Sequence, residues 1–295
     1  MMMNGKLSFI MQLWIPLTIL GYTIGAVAGT LDKYMMNKQY HPVTTVLLRT
    51  FFNAVFLGTT GILLVHISIT STVLLLAVLP AFLLALSFVV YLRVLQKKNA
   101  TEVQPFSQSL DVLFIFLASI IVLHEPASVF NYAGILLTFI GVYLVLTEHI
   151  RKIPRLDRNL LIIIALVPLD IVYALLLKTF LASAEPIALA VSIYFMAFLM
   201  LAVVSLLFRP QKNHPVVSLK AQMRSVLLAS LCAATAIAFL YTALSQANAS
   251  KVYPMAGISS ITVFFLATIF LKERFHWHRF IGTIIVVSGI FLISL

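Results

Sequence analysis

The stretch NATEVQP, Asn99–Pro105, returns in the second half of the chain as NASKVYP, Asn248–Pro254. Asn, Ala, Val and Pro stand at the same places in both copies, and Ser replaces Thr. The second copy begins 149 residues after the first in a chain of 295 residues. A turn that is written twice, half a chain apart, indicates an internal repeat.

The residues that follow both copies extend the match. FLAS (116–119) corresponds to FLAT (265–268), and LHE (123–125) corresponds to LKE (271–273). Glycines also recur at matching places, which are Gly134 and Gly141 in the first half and Gly282 and Gly289 in the second. The chain is therefore interpreted as two similar units, residues 1–150 and residues 151–295.

The composition places these units in a membrane. Hydrophobic residues make up 62% of the chain and charged residues only 10%, which is too little charge to cover a soluble protein of this length. The formal net charge of +11 does not point to nucleic acid, because the basic residues lie between long apolar runs, where they orient a chain against the bilayer. We predict an all-α integral membrane protein that is multi-pass in the cell membrane and contacts lipid.

Ten apolar stretches are long enough to cross a bilayer, since about 20 residues span the hydrocarbon core as a helix. In chain order the predicted transmembrane helices are 10–31, 43–65, 72–95, 103–123, 129–147, 159–181, 186–208, 224–246, 252–271 and 278–294. Each unit contributes five of them, and five is an odd number. The second unit therefore enters from the opposite side, which gives the inverted repeat of many secondary transporters.

Lys and Arg near the span ends predict which face is cytoplasmic. One face receives Lys33, Lys38, Arg93, Lys97, Lys98, Arg151, Lys152, Arg155, Arg158, Arg209, Lys212, Lys220, Arg224, Lys272, Arg274 and Arg279. The other face receives only Lys6 and Lys251, with Lys178 close to it. The first of these faces is predicted to be cytoplasmic, and both termini are predicted to lie outside.

The two halves together resemble the EamA-type ten-helix transporters of the drug/metabolite transporter superfamily. The resemblance covers residues 12–147 and 159–294. The features that carry it are LHE and LKE at the ends of spans four and nine, the Gly-rich spans that follow them, and the spacing of Lys33, Pro42 and Arg49. The resemblance implies a carrier of small organic solutes that works by exchange or proton coupling through a central cavity. It also implies cytoplasmic termini, which is opposite to the charge count.

Two carboxylates inside the predicted spans are the main candidates for binding a substrate or a coupling proton. Asp111 lies about nine residues into span four and Asp170 about eleven residues into span six, so both are roughly 13 Å or more from a span end. Gln104, Gln108 and Asp111 are spaced i, i+4, i+7 and share one helix face. Ionisable groups at this depth normally face a cavity or a partner. Hydrogen bonding between helices is the alternative role.

Further candidates are polar or aromatic residues of the other spans. Arg49 and Asn53 lie one turn apart in span two, and Arg49 is expected either to pair with an acid or to extend to the nearby face. Lys178 is expected either to line a cavity or to extend to the membrane interface. Four tyrosines are candidates for lining a cavity, although packing is the alternative for each: Tyr22, Tyr91, Tyr194 and Tyr241.

Prolines mark candidate hinges and gates. Pro80 and Pro168 lie in mid-span, where proline removes a backbone hydrogen bond and kinks the helix. Pro168 precedes Asp170 by two residues, so freed carbonyl groups and a carboxylate are expected close together. Pro105 and Pro254 lie in the first turn of spans four and nine, where proline costs no hydrogen bond. They are interpreted as two related gates at opposite faces.

Glycine rows predict close helix packing. Gly21, Gly25 and Gly29 are spaced four residues apart in span one, an arrangement that lets helices approach each other. Spans five and ten each present one small face through their paired glycines. Packing within the chain and a dimer seam are both open for these two spans.

The leading functional hypothesis is a secondary transporter, a carrier or an exporter, that moves a small polar metabolite by alternating access. Acidic and basic groups within the spans suit a zwitterion such as an amino acid. The alternatives are an exporter of lipophilic cations or drugs and, with less support, a passive channel. No catalytic, cofactor or metal motif is found, so an enzyme is not expected. The expected partners are the solute, protons as the coupling ion and lipid, with no nucleic acid, in a monomer or a homodimer.

Overall fold

The computed structural model describes residues 13–65, 67–125, 128–146, 157–207 and 219–294. These residues form ten helices, in agreement with the predicted spans. In chain order they are α1 (Trp14–Asn37), α2 (Pro42–Thr60), α3 (Ser71–Leu95), α4 (Ala100–Leu123), α5 (Val129–Leu146), α6 (Arg158–Phe180), α7 (Pro186–Leu207), α8 (Leu219–Gln246), α9 (Ala249–Phe270) and α10 (Trp277–Ser294). A π-helical turn, Gly61–Val65, extends α2, and a 3₁₀ turn, Tyr253–Ala256, interrupts α9 after its first four residues.

Length and composition make this a membrane bundle. Eight of the described helices are long and apolar enough to cross a bilayer, and shorter apolar stretches lie in α5 (Val129–Val145) and α10 (Trp277–Leu292). Large apolar side chains cover the outer surface of the helices, as at Leu75, Ile121 and Val129, which are 74%, 71% and 83% exposed. Such a surface is stable only against lipid. The protein is therefore a multi-pass membrane protein, as predicted.

Most helix–helix contacts join the two halves of the chain. Helix α5 packs on α10, α2 on α7 and α4 on α9, so that corresponding helices meet each other. The other large contacts between the halves come in pairs that the repeat relates. The contact of α1 with α8 corresponds to that of α6 with α3. The contact of α3 with α7 corresponds to that of α8 with α2, and the contact of α9 with α1 corresponds to that of α4 with α6. The core thus lies between the two repeats, and the first half cannot bury its apolar surface without the second.

Glycines hold α5 and α10 at close range. A Cβ atom added to Gly141 would lie 2.8 Å from the carbonyl oxygen of Gly282, and one added to Gly282 would lie 2.9 Å from the carbonyl oxygen of Gly141. A Cβ atom on Gly289 would meet the carbonyl oxygen of Gly134 at 2.7 Å. The small faces of these helices therefore pack against each other within the chain, which is the first of the two roles predicted for them.

The repeated turn begins a helix at each face. The first face carries the α3–α4 connection at 96–99, and the second face carries the α8–α9 connection at 247–248. Asn99 and Asn248 occupy the N-cap positions of α4 and α9 but make no side-chain cap hydrogen bond. The first N–H groups of each helix have no acceptor within the helix, so they need other acceptors.

Glu273 supplies them at the first face. Its Oε1 accepts a 2.8 Å hydrogen bond from the N–H of Ala100, and its Oε2 accepts from the N–H and the hydroxyl of Thr101 at 3.1 and 2.8 Å. Lys272, just before it, has a left-handed backbone with φ of 55°, which turns the chain at the end of α9. A carboxylate at a helix N-terminus is stabilised by both hydrogen bonding and the helix dipole.

Glu125 makes the same contact at the second face. Its Oε1 accepts from the N–H of Ala249 at 3.0 Å, and its Oε2 accepts from the N–H of Ser250 at 2.8 Å. His124, before it, also has a left-handed backbone with φ of 54°. The sequence motifs LHE and LKE therefore have one structural role: each closes a helix of its own repeat and caps the repeated turn of the other repeat.

Two lysines bind the C-terminal ends of α3 and α8, the helices that precede the two repeated turns. Lys33 Nζ donates to the carbonyl oxygens of Leu95 and Lys98 at 2.8 and 2.6 Å, at the end of α3. Lys178 Nζ donates to the carbonyl oxygens of Leu244 and Ala247 at 2.8 and 2.7 Å, at the end of α8. A cation at a helix C-terminus satisfies carbonyl groups that have no partner within the helix.

Ion pairs add to the contacts at the first face. Lys98 Nζ lies 2.9 Å from Asp157 Oδ2 and 3.3 Å from Glu102 Oε1. Arg279 Nη2 lies 3.6 Å from Glu102 Oε2. The Lys98–Asp157 pair joins the α3–α4 connection of the first repeat to the start of α6 in the second. Among the described residues, the second face has no such ion pairs.

The predicted orientation depends on residues that the structure covers only in part. Lys6, Arg151, Lys152, Arg155, Arg209 and Lys212 lie outside the described residues. Among the described residues, Lys38 and Lys97 lie at the first face and Lys251 lies at the second. A cytoplasmic first face stays a prediction.

Candidate functional site

Two cavities meet in the middle of the bundle. One has a volume of about 280 Å³ and extends to Leu177, Leu244 and Val252, so we refer to it as the second-face cavity. The other has a volume of about 300 Å³ and extends to Tyr91 and Gln104, so it is the first-face cavity. Four residues line both cavities and are named the junction: Gln108, Asp111, Asp170 and Tyr173.

The second-face cavity is mainly apolar and aromatic. Beyond the junction it is lined by Tyr22, Val112, Ile115, Ala174, Leu177, Leu240, Tyr241, Leu244, Val252, Tyr253 and Ala256. The first-face cavity is more polar, and beyond the junction it is lined by Leu84, Ser87, Phe88, Tyr91, Gln104, Ser107 and Leu166. The two carboxylates of the junction thus separate an apolar chamber from a polar one.

Asp111 has an oxygen atom without a protein partner. Its Oδ2 accepts a long, 3.4 Å hydrogen bond from the Ser107 hydroxyl. Its Oδ1 is buried and accepts no hydrogen bond from the described residues. An unpartnered carboxylate oxygen inside a membrane bundle is costly. The arrangement is suited to a ligand or a proton that enters from either cavity.

The glutamines of the same helix face have partners in α9. Gln108 Nε2 donates to Ser259 Oγ at 2.9 Å, and its Oε1 accepts from the Ser260 hydroxyl. Gln104 Nε2 donates to Ser259 Oγ at 3.4 Å, and its Oε1 accepts from the Tyr91 hydroxyl. These side chains line the cavities and also join α4 to α9, so the bridging role foreseen as an alternative is present for both glutamines.

Tyr173 and Tyr253 are site residues that the sequence analysis missed. Tyr173 lies three residues after Asp170, on the same face of α6, and its hydroxyl is hydrogen-bonded to that of Tyr241. Tyr253 stands in the repeated turn at the place that Gln104 has in the first copy. Its spacing from Asp170 could have identified Tyr173, and its match to Gln104 in the repeated turn could have identified Tyr253. Of the predicted tyrosines, Tyr22, Tyr91 and Tyr241 line the cavities.

Besides Arg49, three predicted binding residues line neither cavity. Tyr194 is buried and lines neither cavity. Lys178 binds the end of α8, so its ammonium group lines neither cavity, contrary to one of the roles considered for it. Asn53 is 1% exposed and also lies outside both cavities.

Arg49 pairs with an acid that the sequence analysis did not consider. Its Nη2 donates to Asp32 Oδ2 at 3.2 Å, and its Nε lies 3.2 Å from Asp32 Oδ1. Both residues are buried. Of the two expectations for Arg49, pairing is therefore correct and extension to the face is wrong. The pair lies outside both cavities.

The prolines differ in their surroundings. Pro80 is buried within α3. Pro105 and Pro254 are also buried, but each is the sixth residue of its helix, because α4 begins at Ala100 and α9 at Ala249. The prediction that they lie in the first turn, where proline costs no hydrogen bond, is therefore wrong. Pro168 is exposed on the outer surface of α6, whereas Asp170 lines the cavities. The two side chains therefore lie on different sides of α6, and the approach of freed carbonyl groups to the Asp170 carboxylate stays a prediction.

The charge of the cavities is one-sided. Two carboxylates and five tyrosines line them, and no Lys, Arg or His among the described residues does. The described residues contain no group of three or more His, Cys, Asp or Glu side chains that could hold a metal ion. The arrangement is therefore able to hold a small organic cation between carboxylates and aromatic faces.

Comparison with known proteins identifies the family and the fold. The model of the EamA-like transporter family matches residues 12–147 and, a second time, residues 160–295. A solved structure titled only as the crystal structure of a protein is similar in fold, with a TM-score of 0.70 over 94% of this chain and 96% of that chain, at 15% sequence identity. The search of curated proteins found no match.

Proposed function

Because the chain belongs to the EamA-like transporter family, we propose that it is a secondary transporter of small organic amines, bound as cations at the junction. The observation that carries this proposal is the unpartnered Oδ1 of Asp111, buried where the two cavities meet. An ammonium group offers the donors that this oxygen lacks. Tyrosine rings on both sides add cation–π attraction of about 0.5–2 kcal/mol each.

The charges of the cavities favour a cation over a zwitterionic amino acid. An amino acid carboxylate needs strong donors, and Arg or Lys usually provides them. Arg49 is paired with Asp32 behind the wall of the first-face cavity, and Lys178 is bound to the end of α8. The remaining donors are neutral amide and hydroxyl groups. A small amine thus fits the cavities better than the amino acid that the sequence suggested.

Proton exchange balances the charge of the junction between transport steps. Two carboxylates without a counter-charge inside a membrane are expensive. A proton on one of them, or a bound ammonium group, removes much of that cost. The amine and the proton thus compete for Asp111 and Asp170, and this competition couples the movement of one to the opposite movement of the other.

Contacts at the two faces support alternating access. The first-face cavity is lined by α3, α4 and α6, and the Lys98–Asp157 pair joins these same helices at its outer end. Glu273 joins the end of α9 to the start of α4 by hydrogen bonds at this face, and Glu125 makes the corresponding bonds at the second face. In this proposal the contacts at one face break while those at the other face remain. Pro105 and Pro254 set the direction in which α4 and α9 leave the repeated turns.

A counterflow assay tests the proposal. Purified protein is reconstituted into liposomes loaded with an unlabelled primary amine, and uptake of the labelled amine is measured. We expect the internal amine to accelerate uptake, since a carrier exchanges one molecule for another, whereas a channel shows no such acceleration. Matched amino acids are assayed in parallel. Acceleration by amino acids and not by amines would contradict the proposal.

A further inference from the structure

A buried ion pair lies directly behind one wall of the first-face cavity. Arg49 and Asp32 are 3% and 4% exposed and are joined by two contacts of 3.2 Å. Arg49 Nη1 is buried and donates to no acceptor among the described residues. The guanidinium group therefore keeps free N–H donors, although one of its edges is occupied by Asp32.

Phe88 separates this guanidinium group from the cavity. The carbon at the centre of the guanidinium group lies 5.9 Å from the centroid of the Phe88 ring. Phe88 also lines the first-face cavity, together with Leu84 and Tyr91 from the same helix. These three residues are spaced i, i+4, i+7, so they form one continuous face of α3. The Phe88 ring is the part of that face that covers Arg49.

We infer that Phe88 determines the selectivity of the site, because its ring hides a binding position for a carboxylate group next to Arg49. With the ring in place, the cavity offers carboxylates to a cation and no cationic side chain to an anion. With the ring removed, a ligand at the junction could reach the free N–H donors of Arg49. This inference rests on the proposed binding of amines at Asp111 and Asp170.

The hidden position suits one carboxylate group and not a more highly charged anion. Asp32 already neutralises Arg49, so a phosphate group would meet the repulsion of Asp32 without a second cation to balance it. A carboxylate bound to the remaining donors of a guanidinium group needs less compensation. A zwitterion whose ammonium group binds the junction and whose carboxylate group binds Arg49 would match both positions.

Two ligands that differ only in a carboxylate group give a direct test. Phenethylamine and phenylalanine have the same ring and the same amino group, and only phenylalanine has the carboxylate. Equilibrium binding of each is measured on the purified full-length protein and on the variant Phe88→Ala. We expect phenylalanine to bind at least about tenfold more tightly to the variant than to the parent protein, since its carboxylate would accept charged hydrogen bonds from Arg49.

Leu84→Ala is the matched control. Leu84 lines the same cavity one helical turn from Phe88, so its replacement enlarges the cavity and leaves the Phe88 ring against the guanidinium group. A second control, Phe88→Ala with Asp32→Asn and Arg49→Gln, removes the charges of the pair together. We expect neither control to gain phenylalanine affinity. If Phe88→Ala does not fold, Phe88→Leu is measured in its place, because it also removes the ring.

The outcomes distinguish this inference from the proposed function. No gain of phenylalanine binding in Phe88→Ala, an equal gain in Leu84→Ala, or a gain that persists without Arg49 would each overturn the role of Phe88. Failure of the parent protein to bind phenethylamine or any other amine would overturn the proposed function. A gain of phenylalanine binding confined to Phe88→Ala would still support the hidden carboxylate position in that case.

Discussion

Glu273 and Ala100 are 173 residues apart in the chain, yet Glu273 Oε1 accepts a 2.8 Å hydrogen bond from the backbone N–H of Ala100. Glu125 and Ala249, which correspond to them in the inverted repeat, form the same bond at 3.0 Å. Each repeat therefore holds the first turn of a central helix of the other repeat. Because α4 carries Asp111, these bonds connect the two faces to the junction.

Replacing these glutamates should affect both stability and transport. Glu273→Ala and Glu125→Ala each remove the acceptors of two backbone N–H groups, which should cost about 1–2 kcal/mol of stability. They should also raise the rate of exchange, because a face that is tied less strongly opens more often. Thermal unfolding in detergent and counterflow in liposomes measure the two effects.

Glu185→Ala is a suitable control for this prediction. Glu185 accepts hydrogen bonds from the N–H groups of Ile187 and Ala188 at the start of its own helix, α7. Its replacement should lower stability by a similar amount but leave the exchange rate unchanged. If all three variants changed exchange alike, the bonds between repeats would have no special role in opening.

The Lys98–Asp157 pair should keep the first-face cavity closed over a wide pH range. Burial raises the pKa of Asp157, but hydrogen bonds from Lys98 and from the N–H of Leu160 outweigh it, so the pKa lies below its ordinary value. Burial lowers the pKa of Lys98, but Asp157 and Glu102 outweigh it, so this pKa lies above its ordinary value.

The signs of these shifts define the pH window. Asp157 stabilises the closed face above its ordinary pKa, and this contribution is lost as the pH falls through the lowered value. Lys98 contributes below its ordinary pKa and loses this contribution as the pH rises through the raised value. Around neutral pH the contribution of the pair to the stability of the closed face should therefore be constant, and only removal of the pair should open the first face.

Cysteine labelling measures this effect. Ser87, which lines the first-face cavity, is replaced by Cys in a Cys232→Ser background, and its reaction with a thiol reagent is followed. Asp157→Asn should accelerate labelling at pH 7, and high salt should accelerate it in the parent protein but not in the variant. Equal labelling rates in both proteins at all salt concentrations would contradict a closing role for the pair.

Two glycines that look alike in sequence should respond oppositely to alanine. A Cβ atom at Gly141 would collide with the backbone of α10, whereas a Cβ atom at Gly29 meets nothing within 4 Å. Gly141→Ala should therefore reduce stability by about 1–3 kcal/mol. Gly29→Ala should increase it by about 0.5–1 kcal/mol, because glycine is a poor helix former. Thermal unfolding of both variants checks this. Unchanged or increased stability of Gly141→Ala would mean that α5 and α10 do not pack this closely.

Orientation can be tested at two exposed positions. Lys97 lies at the first face and Ser183 at the second, and each is replaced by Cys in the Cys232→Ser background. If the first face is cytoplasmic, Lys97→Cys should resist a membrane-impermeant thiol reagent in intact cells, while Ser183→Cys should react. Permeabilised cells, in which both should react, are the control. The reverse pattern would show that the termini are cytoplasmic, as the family resemblance implied.

The sequence was sufficient to predict the helices and the repeat because these depend on local composition and spacing. Asp111 and Gln108 were found in the same way, since a polar stripe in an apolar helix is visible from residue spacing alone. Helix α1 shows where this approach fails. The predicted span ended at residue 31, just before Asp32 and Lys33, but the helix continues to Asn37 because both charges are bound inside the bundle.

Contacts between the repeats could not be predicted from spacing. Pairing with an acid was one of two roles expected for Arg49, and the choice of Asp32 depends on where the bundle places α1 and α2. The role of Lys178 was left open between a cavity and the interface, because spacing gives the depth of a side chain in a span and not the direction in which it points. The role of Glu125 and Glu273 depends on the interlocking of two halves, which no local pattern contains.

The most direct test of the account is the replacement of Asp111 by Asn, which keeps the size of the side chain and removes its charge. Amine binding and proton-driven amine accumulation are measured in liposomes for the parent protein and for Asp111→Asn, with Glu185→Gln as a control for an acid outside the cavities. The account predicts that Asp111→Asn loses at least about tenfold in amine affinity, since a hydrogen-bonded charge pair contributes about 1.5–3 kcal/mol. It also predicts that proton-driven accumulation is abolished, while Glu185→Gln still binds the amine with unchanged affinity. A folded Asp111→Asn protein with unchanged amine affinity and unchanged proton-driven accumulation would contradict the central claim, and Asp111 would then serve only to join helices.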